Sequence, residues 1–149
     1  MKNNYHDLID MVERVHRLSL ELLKIELNKA RIREINNVQS ILLYKIGDKN
    51  LRISDLIDQG CYLGSNVSYN LRKLVENGYL LQEPHKHDKR CSEIRRTPKG
   101  IELCDFVDKI FDKHEKFLDK NGTNKGDIHT MRSALISLDR NLRKIKDYD

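Results

Sequence analysis

Two clusters of side chains in this 149-residue chain have the types and spacing to act on a partner. The first is Ser65, Asn66, Ser68, Tyr69, Arg72 and Lys73. On a helix these share one face, while Val67, Leu71, Leu74 and Val75 share the other. Hydroxyl, amide, phenol and cationic groups contact base edges by hydrogen bonds and phosphates by charge. The second cluster runs from His85 to Lys99. Its cations are Lys86, Lys89, Arg90, Arg95, Arg96 and Lys99, against Asp88 and Glu93, which leaves most of the chain's net charge of +5 in this stretch. A basic hairpin suits the phosphate backbone and the narrow minor groove. Either cluster alone also reads as an ordinary solvated surface. Side by side, they predict binding to double-stranded DNA, with residues 65–77 as the reading helix. Ser65, Asn66, Ser68, Tyr69, Arg72, Lys73, Lys86, Lys89, Arg90 and Arg95 are the expected contacts.

Other chemistry is weaker. Cys61, Cys91 and Cys104 are odd in number and none are spaced as CxxC, which argues against a disulfide framework or a zinc knuckle. The thiols read as reduced, so a cytoplasmic location is expected. Cys91 follows Lys89-Arg90, and Cys61 precedes the 65–77 helix. These two are the candidates for a redox-sensitive thiol, with an incidental reduced thiol as the plainer reading. His85, His87, Asp88 and Cys91 are ligand-type residues but lack the spacing of a closed metal site. They are expected to be solvent-exposed groups on a hairpin tip, the histidines carrying a pH-dependent charge, with no metal. There is no P-loop, no GxSxG, no paired histidine and acid on a helix face and no glycine-rich cofactor turn. The expectation is therefore neither an enzyme nor a cofactor protein.

The elements that position both clusters can be read from periodicity. Leu8, Val12, Val15, Leu18, Leu22 and Ile25 recur at helical steps across residues 5–30, a helix about 39 Å long at the usual rise. So long a helix in a small chain is expected to bury its stripe against another subunit as well. Asn36 and Gln39 form a capping-box pair opening a second helix that Gly47 ends. Leu51-Arg52-Ile53 is a short strand, Ser54 caps a brief helix, and Cys61-Tyr62-Leu63-Gly64 is a tight turn before the 65–77 helix. Tyr79–Leu81 and Glu93–Thr97 are strand-like around a polar loop. Thr97 then caps a helix with Pro98 in its first position. That helix is expected to reach about Lys120 with Ile101, Cys104, Val107, Ile110, Phe111, Phe117 and Leu118 inward. A last helix spans about 125–146.

The chain is 38% hydrophobic and 34% charged, with a mean hydropathy of -0.68. That is too apolar for disorder and polar enough to suit an elongated or oligomeric protein. The N-terminus lacks the apolar region of a signal peptide, and no apolar run approaches the ~20 residues of a membrane span, so no membrane partner is expected.

Over nearly its whole length the sequence resembles the MarR family of winged helix-turn-helix regulators. The most specific match is Asp88-Lys89-Arg90-Cys91-Ser92-Glu93-Ile94-Arg95-Arg96-Thr97-Pro98-Lys99-Gly100, which fits the wing pattern Asp-x-Arg, a strand, then Thr-x-x-Gly. Asn36-x-x-Gln39 and Leu74-Val75-Glu76-Asn77-Gly78-Tyr79-Leu80 match the start of helix two and the end of the recognition helix. Gly64-Ser65-Asn66-Val67-Ser68-Tyr69-Asn70-Leu71 looks like the LdtR-like alphaproteobacterial subgroup. Three positions depart from the family. Tyr69 stands where many members have a base-reading arginine, Asn70 where an apolar residue is usual, and Arg96 where leucine is usual.

The resemblance implies a mainly α fold with a small β-hairpin wing and six helices in a single MarR-like domain, 1–149. Its winged helix-turn-helix lobe would be 36–100, and residues 1–32 and 101–149 would form a homodimer. Two recognition helices would enter successive major grooves of a pseudo-palindromic operator, with the wings, 82–96, on the minor groove or phosphates. Asp88 and Arg90 would pair to shape the wing tip. A small aromatic or lipophilic effector would bind between the dimer helices and the DNA-binding lobe, near His16, Ser19, Leu23, Tyr44 and Leu63. The alternative is a winged-helix module that binds protein without specific DNA binding.

Overall fold

The structure, a computed structural model, describes residues 4–58, 65–88 and 90–148, with the backbone alone at 57, 58 and 65. Its elements are α1 (Asn4–Lys29), α2 (Asn37–Ile46), β1 (Leu51–Arg52), α3 (Ile53–Asp58), α4 (Ser65–Glu76), β2 (Leu80–Pro84), β3 (Ser92–Arg96), α5 (Pro98–Lys120) and α6 (Lys125–Tyr148). The expected class is present: six helices and a small antiparallel sheet. The turn Cys61–Gly64 falls outside the described residues. The brief third helix starts at Ile53, so Ser54 lies inside it rather than capping it.

The chain divides into two compact units, Met1–Ile110 and Phe111–Asp149, with the boundary inside α5. In the first, the Asn36 side chain accepts from the Gln39 amide at 2.8 Å while the Asn36 amide donates to Gln39 Oε1 at 3.1 Å. This reciprocal capping box satisfies two donors that a helix start leaves unpaired. The α4 helix ends in a Schellman motif. Gly78 adopts φ +81°, its amide donates to the Val75 carbonyl, and the Tyr79 amide donates to the Leu74 carbonyl. A residue without Cβ takes this left-handed position at least cost.

The sheet order is β1-β3-β2, with Leu51 opposite Ile94 and Leu80 opposite Arg96. Pro84 closes the edge strand β2, where its missing N–H does no harm. Leu42, Leu43 and Ile46 of α2 form the core with Leu56, with Val67, Leu71 and Leu74 of α4, with Leu80 and Ile94 of the sheet, and with Leu103, Val107 and Ile110 of α5. From α1 only Leu23 and Leu27 are buried.

The first turn of α5 is pressed against the chain that leaves α4. The Thr97 amide donates to the Tyr79 carbonyl at 3.1 Å, and the Thr97 hydroxyl donates to the Gly78 carbonyl at 2.5 Å. The Gly100 amide donates back to the Thr97 hydroxyl oxygen at 3.2 Å, as an N-cap requires. A Cβ on Gly100 would overlap the Tyr79 carbonyl. This close approach rotates α5 so that Gly100, Leu103, Cys104, Val107 and Ile110 face the core. Ile101, expected inward, is exposed instead, since it lies a step off that stripe. Phe117 and Leu118, also expected inward, are exposed as well.

In the second unit Asn124 and Asp127 cap α6 reciprocally, at 2.8 and 3.0 Å. No residue of α6 is buried, and Met131, Leu135, Ile136 and Ile145 are exposed.

Replacing Gly100 by Ala forces a Cβ into backbone that cannot yield like a side chain. Urea denaturation should show a loss of about 1–3 kcal/mol. Asn36→Ala, which removes the cap without adding bulk, should cost about 1 kcal/mol in the same measurement.

Candidate nucleic-acid interface

The amphipathic pattern of α4 settles which way its polar side chains point. Val67, Leu71 and Leu74 are buried, so Asn66, Ser68, Tyr69 and Arg72 are exposed. Ser65 opens the helix, its side chain lying outside the described residues. Lys73 is half-buried. It pairs with Glu76 at 3.3 Å and its ammonium lies 5.8 Å from the Tyr69 ring centroid. Much of its charge is thus engaged within the helix, whereas Arg72 and the amide of Asn66 face outward.

Asn70 has a partner that explains its departure from the family pattern. Its Oδ1 accepts from Gln39 Nε2 at 3.2 Å. Gln39 is only 6% exposed and already caps α2 through its carbonyl oxygen, so its NH2 group needs an acceptor. An apolar residue at 70 would leave that buried donor unpaired. Arg96 has a comparable reason. Its guanidinium pairs with Asp48 beside the end of α2, while its Nε is buried with no partner among the described residues. It also lies against Cys104, whose thiol is pushed up by burial and pulled down by Arg96.

The chain between α4 and β2 is held by a second polar group. Glu34 accepts from the Tyr79 hydroxyl at 2.8 Å and from Lys99 Nζ at 2.5 Å, and its carbonyl accepts from Asn77 Nδ2 at 2.9 Å. The hydrogen bond from Lys99 holds the Glu34 carboxyl below its ordinary value, with Tyr79 adding to the shift. Burial, then Glu34, pushes the Tyr79 phenol well up. The phenol thus stays protonated and the carboxylate ionised.

The wing extends from this base. Lys86 is exposed, and the Arg90 side chain is almost wholly exposed. Lys89 lies outside the described residues. Asp88 and Arg90 do meet: the Arg90 amide donates to Asp88 Oδ1 at 3.1 Å and its Nε lies 3.8 Å away. Arg95 pairs with Glu83 across the strands at 3.4 Å. Cys91 is half-buried, with its thiol 3.8 Å from Asp88 Oδ2; Cys61 lies outside the described residues. One expectation for the tip is corrected. The His85 side chain is 13% exposed rather than solvated, because its ring is enclosed by hydrogen bonds and by β1 and β3. Arg52, which sequence reasoning passed over, stands beside it, 3.3 Å from Nε2.

The residues expected around an effector differ in exposure. Leu23 is sealed in the core, and His16 and Ser19 are exposed on α1, with the Ser19 hydroxyl donating to the His16 carbonyl. The Tyr44 hydroxyl donates to Asp108 at 2.5 Å, and Leu63 lies outside the described residues. A cavity of about 550 Å³ opens beside the end of α1, lined by Lys24, Leu27, Ile32, Arg33, Ile35 and Asn37 among others.

Comparison with known proteins agrees with this geometry. A family model described as a winged helix DNA-binding domain matches residues 35–100. The exopolysaccharide II synthesis transcriptional activator ExpG of Rhizobium meliloti is 31% identical over 135 residues, covering 91% of this chain and 70% of that protein. A MarR protein from Peptoclostridium difficile superposes with a TM-score of 0.78 at 15% identity, over 97% of this chain and 90% of its own. Streptococcus pneumoniae FabT, solved in complex with DNA, gives a TM-score of 0.71 at 19% identity, over 95% and 99%. The likeness to the solved structures carries the fold, and the match to the activator carries the family. With an exposed polar helix face beside a basic hairpin, the chain belongs to the MarR family of winged-helix proteins and is a DNA-binding transcription regulator.

Proposed function

We propose that the protein acts as a homodimer on a pseudo-palindromic operator, with α4 in the major groove and the wing on the minor groove or phosphates. The observation that carries this reading is the outward face of α4, where Asn66, Ser68, Tyr69 and Arg72 stand exposed with no ion pair to neutralise Arg72 among the described residues. Asn66 and Arg72 supply base-edge donors and acceptors, Tyr69 a stacking or hydroxyl contact, and Ser65, Ser68 and Lys73 contacts to phosphate. Lys86, Lys89, Arg90 and Arg95 supply the charge of the wing.

Two exposed apolar faces support the dimer. Along α1, Leu8, Val12, Val15, Leu18, Leu22 and Ile25 are each 39–57% exposed. Met131, Leu135, Ile136 and Ile145 leave a second such face on α6. Contiguous apolar surface of this kind marks an association site. A small aromatic or lipophilic effector would modulate binding if it favoured one spacing of the two reading helices over another.

The test is affinity for operator and non-operator duplexes across a salt series. Arg72→Ala is expected to weaken operator binding by about 1–3 kcal/mol and to relax base preference, with little effect on non-operator DNA. Arg90→Ala is expected to weaken binding to all duplexes alike and to lower the salt slope by about 1. Equal losses on every sequence for Arg72→Ala would remove α4 from base reading. Leu18→Glu places a charge on a side chain already exposed in the single chain. It should leave the fold intact, shift the protein to monomer in sedimentation, and weaken operator binding; a wild-type monomer at micromolar concentration would overturn the dimer.

A further inference from the structure

The wing tip is organised around one imidazole. His85 Nδ1 lies 3.1 Å from the His87 amide nitrogen and 3.3 Å from that of Asp88, and both amides donate to it. The His85 amide donates to the Cys91 carbonyl at 2.8 Å, and the Cys91 amide donates to the Asp88 carbonyl at 3.0 Å. Asp88 Oδ1 then accepts from the Arg90 amide. The loop that carries Arg90 is thus closed by backbone bonds, and the ring holds its first turn through the two amides.

A ring nitrogen that accepts two N–H groups carries no proton. The donors around Nδ1 therefore assign the neutral tautomer with its proton on Nε2. Nε2 faces Glu93 Oε1 of β3 at 3.7 Å, the acceptor on the side of its proton. Arg52 Nη2 of β1 lies 3.3 Å from Nε2; a guanidinium only donates, so in this tautomer it is a neighbour and not a hydrogen-bond partner, and the two backbone amides, whose N–H directions are fixed, decide the assignment. On the tip itself, the His87 ring lies 5.8 Å away between centroids, and Asp88, Arg90 and Cys91 complete the charged and titratable surroundings. Glu93, Asp88, Arg52 and Arg90 are the charged groups around the ring. Whatever their balance, a proton on Nδ1 would point at two amide donors. Both hydrogen bonds would be lost and donor would face donor.

We propose that His85 is a positioning residue that shapes the wing tip for DNA only as the neutral imidazole, so that protonation at Nδ1 opens the tip and weakens binding. The proposal rests on the wing touching DNA. Its sign is opposite to the simple electrostatic expectation, in which an added positive charge beside DNA strengthens binding.

The variants His85→Asn, His85→Ala, His87→Asn and Arg90→Ala separate these readings. Asparagine places Oδ1 where Nδ1 stands, accepts the same two amides, and does not titrate. Affinity for an operator duplex is measured at about pH 8 and about pH 5.5 at fixed ionic strength, a range that spans imidazole titration. At the higher pH, His85→Asn should bind within about twofold of wild type, and His85→Ala about fivefold or more weaker, the scale of one net hydrogen bond. On acidification wild type and His87→Asn should lose about fivefold more affinity than His85→Asn. Parallel profiles for wild type and His85→Asn would overturn the proposal. So would an imidazole found protonated on Nδ1 at the higher pH by nitrogen chemical shift. If Arg90→Ala weakens binding and His85→Ala does not, the wing contact stands and the role of His85 falls. If neither changes binding, both fall.

Discussion

The Tyr79 carbonyl is the point on which the winged-helix lobe depends. It lies where α4 ends, where the wing begins and where α5 starts, and it accepts from Thr97 while Gly100 passes over it without room for a side chain. Three constraints meet there. The Schellman motif at Gly78 fixes the direction in which the chain leaves α4, Thr97 ties that turn to the N-cap of α5, and Lys99 reaches back to the Asn77 carbonyl at 2.8 Å. The offset between α4 and the wing follows from this junction. A duplex presents major groove, backbone and minor groove at fixed spacing, so an offset set by backbone contact suits that target better than one left to flexible side chains.

Around this point the lobe uses polar pairs where an apolar side chain would serve packing alone. Gln39 and Asn70 join the start of α2 to the middle of α4, and Arg96 with Asp48 joins β3 to the end of α2. Such pairs add little net stability, and surface ion pairs such as Glu34 with Lys99 add least. Their effect is on geometry. A hydrogen bond has a direction, and a mismatched partner leaves a buried donor unsatisfied, which penalises a rotated helix more sharply than a slipped apolar contact does.

Much of this was legible in the sequence because it rests on local rules. The capping box at Asn36 and Gln39, the glycine after α4, proline in the first turn of α5 and the change of period between 79 and 97 each act within a few residues. The Asp88–Arg90 pairing at the tip came from the family resemblance and holds. What escaped depends on distant parts of the chain. His85 looked like a solvated tip residue because its enclosure comes from Arg52, a strand 33 positions earlier. The partner of Asn70 lies 31 positions away. Ile101 is expected inward with Cys104, Val107 and Ile110, while the rotation of α5 is set by the Gly100 contact. The outward face of α4 was read correctly as a face; Lys73's engagement with Glu76 and Tyr69 needed side-chain geometry.

In the proposed complex, two copies of this lobe read one duplex from the same side. Methylation-interference and hydroxyl-radical footprinting of the purified protein on its operator test it most directly. Two guanine-sensitive major-groove patches are expected about 10 bp apart on one face of the helix, related by a two-fold axis, with backbone protection extending outward where the wings lie. A single unpaired patch, or protection without dyad symmetry, would contradict it.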